Sequence, residues 1–154
     1  MAQLEDILNC YEWFDHVDGP KFVETHRDQF RTSGHWLFLP HTISYFHKVD
    51  NNSELWCIHI GRLIIHVLTT EGQHQQLNLG TDISAGERPV VEIPVNCWQA
   101  AEIPDGGSFA FGTNVCAPPF SYERLMLADR TSLTRAYPLH AELIKRFTRN
   151  ENRR

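Results

Sequence analysis

The chain has 154 residues, 42% of them hydrophobic, and a formal net charge of −5. That length suits one domain with a real core. The negative charge argues against a nucleic-acid surface, since the basic run is confined to the end, Lys145-Arg146 through Arg153-Arg154. No apolar run approaches the roughly 18 residues of a membrane span, and a start bearing Glu5 and Asp6 lacks the basic segment of a signal peptide.

Nine Phe, four Trp and four Tyr favour sheets around an apolar pocket over a helical bundle. Cys10, Cys57, Cys97 and Cys116 form no C-x-x-C pair, which excludes zinc-ribbon and thioredoxin-like readings. They read as reduced, mostly buried thiols, which implies a cytoplasmic protein.

In chain order, residues 2–14 fit a short helix, with Leu4, Ile7, Leu8 and Tyr11 at helical spacing and Asp18-Gly19-Pro20 as its break. From about 20 to 120 the chain reads as short strands. Turn signals recur about every ten residues, among them Ser33-Gly34, Asn51-Asn52, Gly61, Glu71-Gly72, Gly86, Pro94 and Asp105-Gly106-Gly107. This spacing predicts an all-β sandwich or barrel of the jelly-roll kind. The 33–42 and 104–108 loops are expected over its mouth. The segment from about 121 to 148 is predicted to form two short helices outside the barrel. No linker or repeat divides the chain, so residues 1–154 read as one domain.

Alternation assigns faces to the strands. Glu54, Trp56, Ile58 and Ile60 share one face; His41, Ile43, Tyr45 and His47 share another. Glu54 beside Trp56 would be an acid in an aromatic pocket, suited to general acid or base work. The plainer reading pairs it with Arg62 or Arg88 at a strand end. Glu92, in mid-strand, needs a partner or a polar cavity. Nine histidines are present but no H-x-H or H-E-x-x-H. His59 and His66 fit packed strand positions, and His26, His74 and His140 fit the surface. His47 with Glu54 is the pair that stands out.

Two gapped motifs carry a resemblance. The first is His47-Lys48-Val49, four residues, Glu54, six residues, Gly61; the second is Pro94-Val95-Asn96-Cys97-Trp98-Gln99. Further matching stretches are His16-Val17-Asp18-Gly19, Phe22-Val23-Glu24-Thr25, Ala85-Gly86-Glu87-Arg88-Pro89, Cys97-Trp98-Gln99-Ala100 and Val115-Cys116-Ala117-Pro118. Together they make the chain similar to the RmlC-like cupins, and closer to a small single-domain cupin subfamily of largely unassigned function. Val49 and Gln99 stand where a metal-binding cupin has histidines. Asn96 replaces a customary glycine, and Pro20 the second glycine of the early acid-Gly-Gly motif.

The resemblance implies a cupin double-stranded β-helix barrel with short N- and C-terminal helices, a pocket at one mouth, and a homodimer. One imidazole, one carboxylate and one neutral amide, from His47, Glu54 and Gln99, are a weak ligand set for iron, nickel or zinc. The expectation is therefore an enzyme without a cofactor, an isomerase, epimerase, cyclase or lyase acting on a small oxygenated molecule. In it His47 and Glu54 move protons. Arg88 and Gln99 hold polar groups, Glu24 closes the polar ring, and Tyr45, Trp56 and Trp98 form flat walls. The first rival is a metal-dependent oxygenase or decarboxylase, with a divalent metal on His47, Glu54 and Gln99 or on a third ligand such as His41 or His59. The second is a cupin that binds a sugar, nucleotide or other metabolite without chemistry.

Overall fold

The structure, a computed structural model, describes residues 2–150. Helix α1 (Ala2–Cys10) leads into strands β1 (Phe14–Asp15), β2 (Lys21–Arg27), β3 (Thr32–Phe38), β4 (Ile43–Val49), β5 (Ser53–Ile60) and β6 (Leu63–Leu68). There follow β7 (His74–Leu79), β8 (Val90–Ile93), β9 (Trp98–Glu102), β10 (Ala110–Ala117) and β11 (Leu125–Leu127), then helices α2 (Arg130–Ala136) and α3 (Ala141–Arg146). The strands form a six-stranded sheet, β1-β2-β3-β10-β5-β8, and a five-stranded sheet, β11-β4-β9-β6-β7. The two pack face to face as a mostly β jelly roll.

The main core fills the space between the sheets. Trp36, Phe38, Trp56 and Ile58 come from one sheet and meet Leu63, Ile65, Val67 and Ala101 from the other. On β5 the predicted alternation holds: Glu54, Trp56 and Ile58 are buried, whereas Leu55 and His59 are exposed. A smaller cluster lies outside the five-stranded sheet, where Phe46, Leu68 and Ala100 are covered by Leu133, Ile144 and Phe147 of the C-terminal helical segment.

On β4 the alternation breaks. Ser44 pairs with Ala101 and His47 with Gln99, so three steps on β4 match two on β9. This one-residue bulge reverses the parity of the strand. Ser44, His47 and Val49 are buried, and Tyr45 is turned off the face it was expected to share with His47. The irregular backbone is satisfied by other segments. The Tyr45 N–H donates to Asp18 O at 2.7 Å, the Phe46 N–H to Phe147 O at 2.8 Å, and Phe46 O accepts from Ala128 N–H at 2.9 Å.

Three further expectations change. Residues 125–127 are not helical: they add β11 to the free edge of β4, with Leu125 opposite Val49 and Leu127 opposite His47. Ser33-Gly34 is no turn but lies within β3. Gly34 is needed there because a Cβ would stand 2.1 Å from the Phe22 ring. α1 ends at Cys10 rather than 14, and the Trp13 indole N–H takes the Ile7 carbonyl at 3.0 Å. The Asn96 departure is accommodated: its φ of 64° is left-handed, a region asparagine tolerates. Its side-chain oxygen accepts the Asn51 N–H at 2.9 Å, bracing the turn before β5.

Candidate functional site

A pocket opens at one end of the space between the sheets. His47, Glu54, Glu24 and Trp56 all line it, joined by His16, Asp18, Pro20, Phe22, Asn114, Cys116 and Phe120. The two residues singled out for proton transfer thus come to one cavity from different sheets, His47 from β4 and Glu54 from β5.

His47 is held from one side. Its Nδ1–H donates to Tyr45 O at 2.8 Å, an arrangement made by the bulge. A carbonyl only accepts, so Nδ1 carries the hydrogen and Nε2 is the nitrogen left for chemistry. Asp18 Oδ2 lies 3.4 Å from Nδ1. Asp18 is itself buried, accepts from Ser44 Oγ at 2.6 Å, and is hydrogen-bonded to His16 Nδ1. Burial opposes ionisation of this carboxyl. His47, His16 and Ser44 outweigh that effect and hold it well below the usual carboxylate range. The buried Asp18 carboxylate thus stands on the Nδ1 side of the His47 ring.

Asp18 reaches this position because the 18–20 turn docks on β4. Gly19 has φ of 130°, and a Cβ there would stand 2.1 Å from Ile43 O. Glycine alone allows that approach. In the sequence Asp18-Gly19-Pro20 serves as a helix break and as part of the family resemblance, and neither Asp18 nor His16 stands out there as a site residue. The available signal is an acid flanked by a histidine and a Gly-Pro turn.

Glu54 is held by two amides. Gln99 Nε2 donates to Oε2 at 2.6 Å and Asn114 Nδ2 to Oε1 at 3.1 Å. Gln99 Oε1 in turn accepts from Trp56 Nε1 at 2.9 Å. Gln99 is 2% exposed and stands on β9, so it ties the two sheets together behind the carboxylate. Each oxygen of Glu54 keeps a further lone pair beyond its amide partner. Cys116, opposite Glu54 across β10 and β5, is buried, and burial together with Glu54 pushes its thiol far above the ordinary range. Burial of this kind favours the protonated thiol over the reactive thiolate.

Other expected site residues are not brought to the pocket. Tyr45, displaced by the bulge, lies beneath the Arg149 guanidinium at 4.8 Å. Trp98 packs against the cluster under the C-terminal helices and carries Lys48 at 5.2 Å over its ring. Arg88 is exposed and donates to the Glu87 carbonyl at 2.7 Å, while Arg62 pairs with Glu87 at 3.2 Å. Neither arginine meets Glu54. Glu92 is exposed on the edge strand β8. The 104–108 loop does not border the mouth, which β1, β2 and the segment after β10 surround instead. Glu24 does line the pocket, and a two-pronged pair with Arg27, 2.9 Å on each side, fixes it. His66, with His74 and His140, forms a ring cluster beneath the C-terminal segment, so the last two are less exposed than expected.

The residues present do not fit a cupin metal. Gln99 has its oxygen committed to Trp56, and Val49 offers no donor atom. The third-ligand candidates are remote, with His41 on an exposed turn of φ 68° and His59 on the outer face of β5, bonded to Thr113 Oγ1 at 2.7 Å. Among the described residues no three His, Cys, Asp or Glu side chains converge as a metal site. Among them, too, no helix is long and apolar enough to cross a membrane.

The fold is shared widely. A protein of Shewanella oneidensis is 25% identical, superposes with a TM-score of 0.88, and covers 96% of this chain and 98% of its own. A hypothetical protein from Leishmania major is 19% identical with a TM-score of 0.85, covering 95% and 98%. The Streptomyces protein PAC13, solved with uridine, is more distant: 12% identity, a TM-score of 0.58, and coverage of 77% and 84%. No curated protein matches the sequence. Residues 5–128 match the model of the Cupin superfamily family DUF985, and the chain belongs to that family.

Proposed function

We propose that this cupin is a metal-independent acid–base enzyme, a lyase or isomerase acting on a small hydroxylated molecule. One observation carries the reading: an imidazole with its Nδ1 side fixed, backed by the buried Asp18, shares a cavity with a carboxylate fixed by two amides. These are two proton-transfer groups of different kind, each pre-oriented, as general acid–base catalysis requires.

In an elimination, Glu54 takes the proton from a carbon while His47 delivers one from Nε2 to the departing hydroxyl. A C–H and a C–O bond break, a C=C bond forms, and water leaves. In an isomerisation the same groups remove a proton on one carbon and return it to another. Trp56 forms one wall and Glu24 the polar rim. The distant fold neighbour PAC13 is described as a nucleoside dehydratase. Its likeness speaks for the fold, and the reading here rests on the site. A homodimer and a cytoplasmic setting belong to the same proposal, on the family resemblance and the four free thiols.

The test is proton exchange, which reports on the chemistry whatever the product is. Hydroxylated candidates, including uronates, β-hydroxy acids and nucleosides, are incubated in D2O and followed by NMR for deuterium uptake or loss of water. Turnover is expected for the native protein, with a loss of at least about a hundredfold in His47→Ala and in Glu54→Gln. Undiminished turnover in either folded variant would overturn the assignment.

A further inference from the structure

The inner pocket, about 50 Å³, is not the whole cavity. A second, outer space of about 360 Å³, a vestibule, lies beside it. His16, Phe22, Glu24 and Phe120 line both, so the two spaces adjoin at these four residues.

The vestibule is built from rings. Phe14, Phe22, Phe120 and Tyr122 surround His16, with centroids 6.0, 5.5, 6.0 and 6.0 Å from it. Tyr122 is 61% exposed and Phe14 44% exposed. An exposed aromatic collar at the entrance to a buried acid–base pair is a surface for a ligand rather than for the core. Its fixed charges cancel: Arg27 grips Glu24 with two bonds of 2.9 Å and donates a third, at 3.0 Å, to the Phe120 carbonyl. Among the described residues no unbalanced arginine or lysine lines the space to hold a phosphate or carboxylate. What remains is a set of flat apolar faces that cost little conformational entropy to use.

We propose that the substrate carries a planar, uncharged aromatic ring, held in this vestibule while its hydroxylated part enters the inner pocket. The inference rests on the acid–base reading of that pocket and names the chemical class it acts on. The flat walls thus lie on β1, β2 and the segment after β10. Trp98 and Tyr45, expected to supply them, are elsewhere.

Uridine and ribose serve as matched probes, the first with a planar ring on the sugar and the second without. Titrations are read by calorimetry and by ring-proton NMR shifts. Saturable uridine binding is expected, at least about tenfold tighter than ribose, and weakened at least about tenfold in the Phe14→Ala/Tyr122→Ala double variant. Both side chains are exposed, so the circular dichroism and Tm of that variant serve as its folding control. Absence of saturable uridine binding, equal binding of ribose, or undiminished binding by the folded double variant would each overturn the proposal. His47→Ala and Glu54→Gln separate the two readings. Uridine bound by the native protein, together with proton exchange on a hydroxylated candidate that is undiminished in folded His47→Ala or Glu54→Gln, leaves the collar standing and removes the catalytic assignment. Proton exchange that depends on His47 and Glu54 but not on the collar does the reverse.

Discussion

Gln99 reaches from β9 to the opposite sheet and donates its amide N–H to Glu54 Oε2 at 2.6 Å, while its own oxygen accepts from Trp56 at 2.9 Å. The residue that stands where a metal-binding cupin has a histidine therefore points its acceptor at an indole and its donor at a carboxylate. It is a positioning residue for Glu54 and a strut between the sheets.

Gln99→Leu removes both bonds and leaves the Trp56 N–H and one carboxylate oxygen buried without that partner. Each orphaned group costs about 1–3 kcal/mol. Urea unfolding is expected to show a fall in midpoint with an unchanged slope. Turnover is expected to fall further than stability accounts for, because Glu54 loses its orientation.

Asp18→Asn keeps the shape of the 18–20 turn and removes the anion beside His47. It should lower kcat about a hundredfold with little change in KM, since the loss concerns the cationic imidazole that delivers the proton rather than substrate contact. An equal rise in KM would instead point to a binding role.

Stability should respond to pH in two windows. His66 is held below its ordinary value of 6.5 by burial first, with Arg146 adding to the effect and Glu102 partly offsetting it. His74 is lowered by burial and by His66 and His140, and His35 by burial and His59. For a lowered histidine the unfolded chain takes a proton before the folded one does, so stability falls as pH drops below 6.5 and levels off under the folded value. Asp18 acts in the other window. Its lowered carboxyl contributes stability that is fully present above 3.8 and is lost as pH falls toward the folded value. Thermal unfolding from pH 8 to 5 should show a declining Tm, flattened in His66→Gln/His74→Gln. Acid unfolding below pH 3.8 should be less steep in Asp18→Asn.

The two close-approach glycines should differ in severity. In Gly34→Ala the new Cβ meets the end of the Phe22 ring, which can swing aside at a cost of about 1–3 kcal/mol. In Gly19→Ala it meets the Ile43 backbone carbonyl, at a φ of 130° that alanine resists. Gly19→Ala is therefore expected to unfold at lower denaturant than Gly34→Ala and to lose turnover with Asp18 displaced.

The residues show how far local pattern reaches. Glu54, Trp56 and Ile58 are legible as one inward face because β5 is regular and its two-residue period survives folding. The same rule misplaces Tyr45, because the bulge in β4 is set by pairing with β9 and by docking of the 18–20 turn, neither of which is encoded in residues 41–47 alone. β11 is hidden for a related reason: Leu125-Met126-Leu127 fits a helix or a strand, and only the open edge of β4 selects the strand.

Composition, turn spacing and the His47 and Glu54 motif determined a β barrel with an imidazole and a carboxylate on its strands. Those features are local and additive along the chain. Only the tertiary structure decided that Asp18 stands behind His47, that Gln99 donates to Glu54, and that Phe14, Phe22, Phe120 and Tyr122 gather around His16. Each of these depends on segments far apart in sequence meeting at a few ångströms, and that proximity is fixed by strand register and close backbone packing rather than by any periodicity.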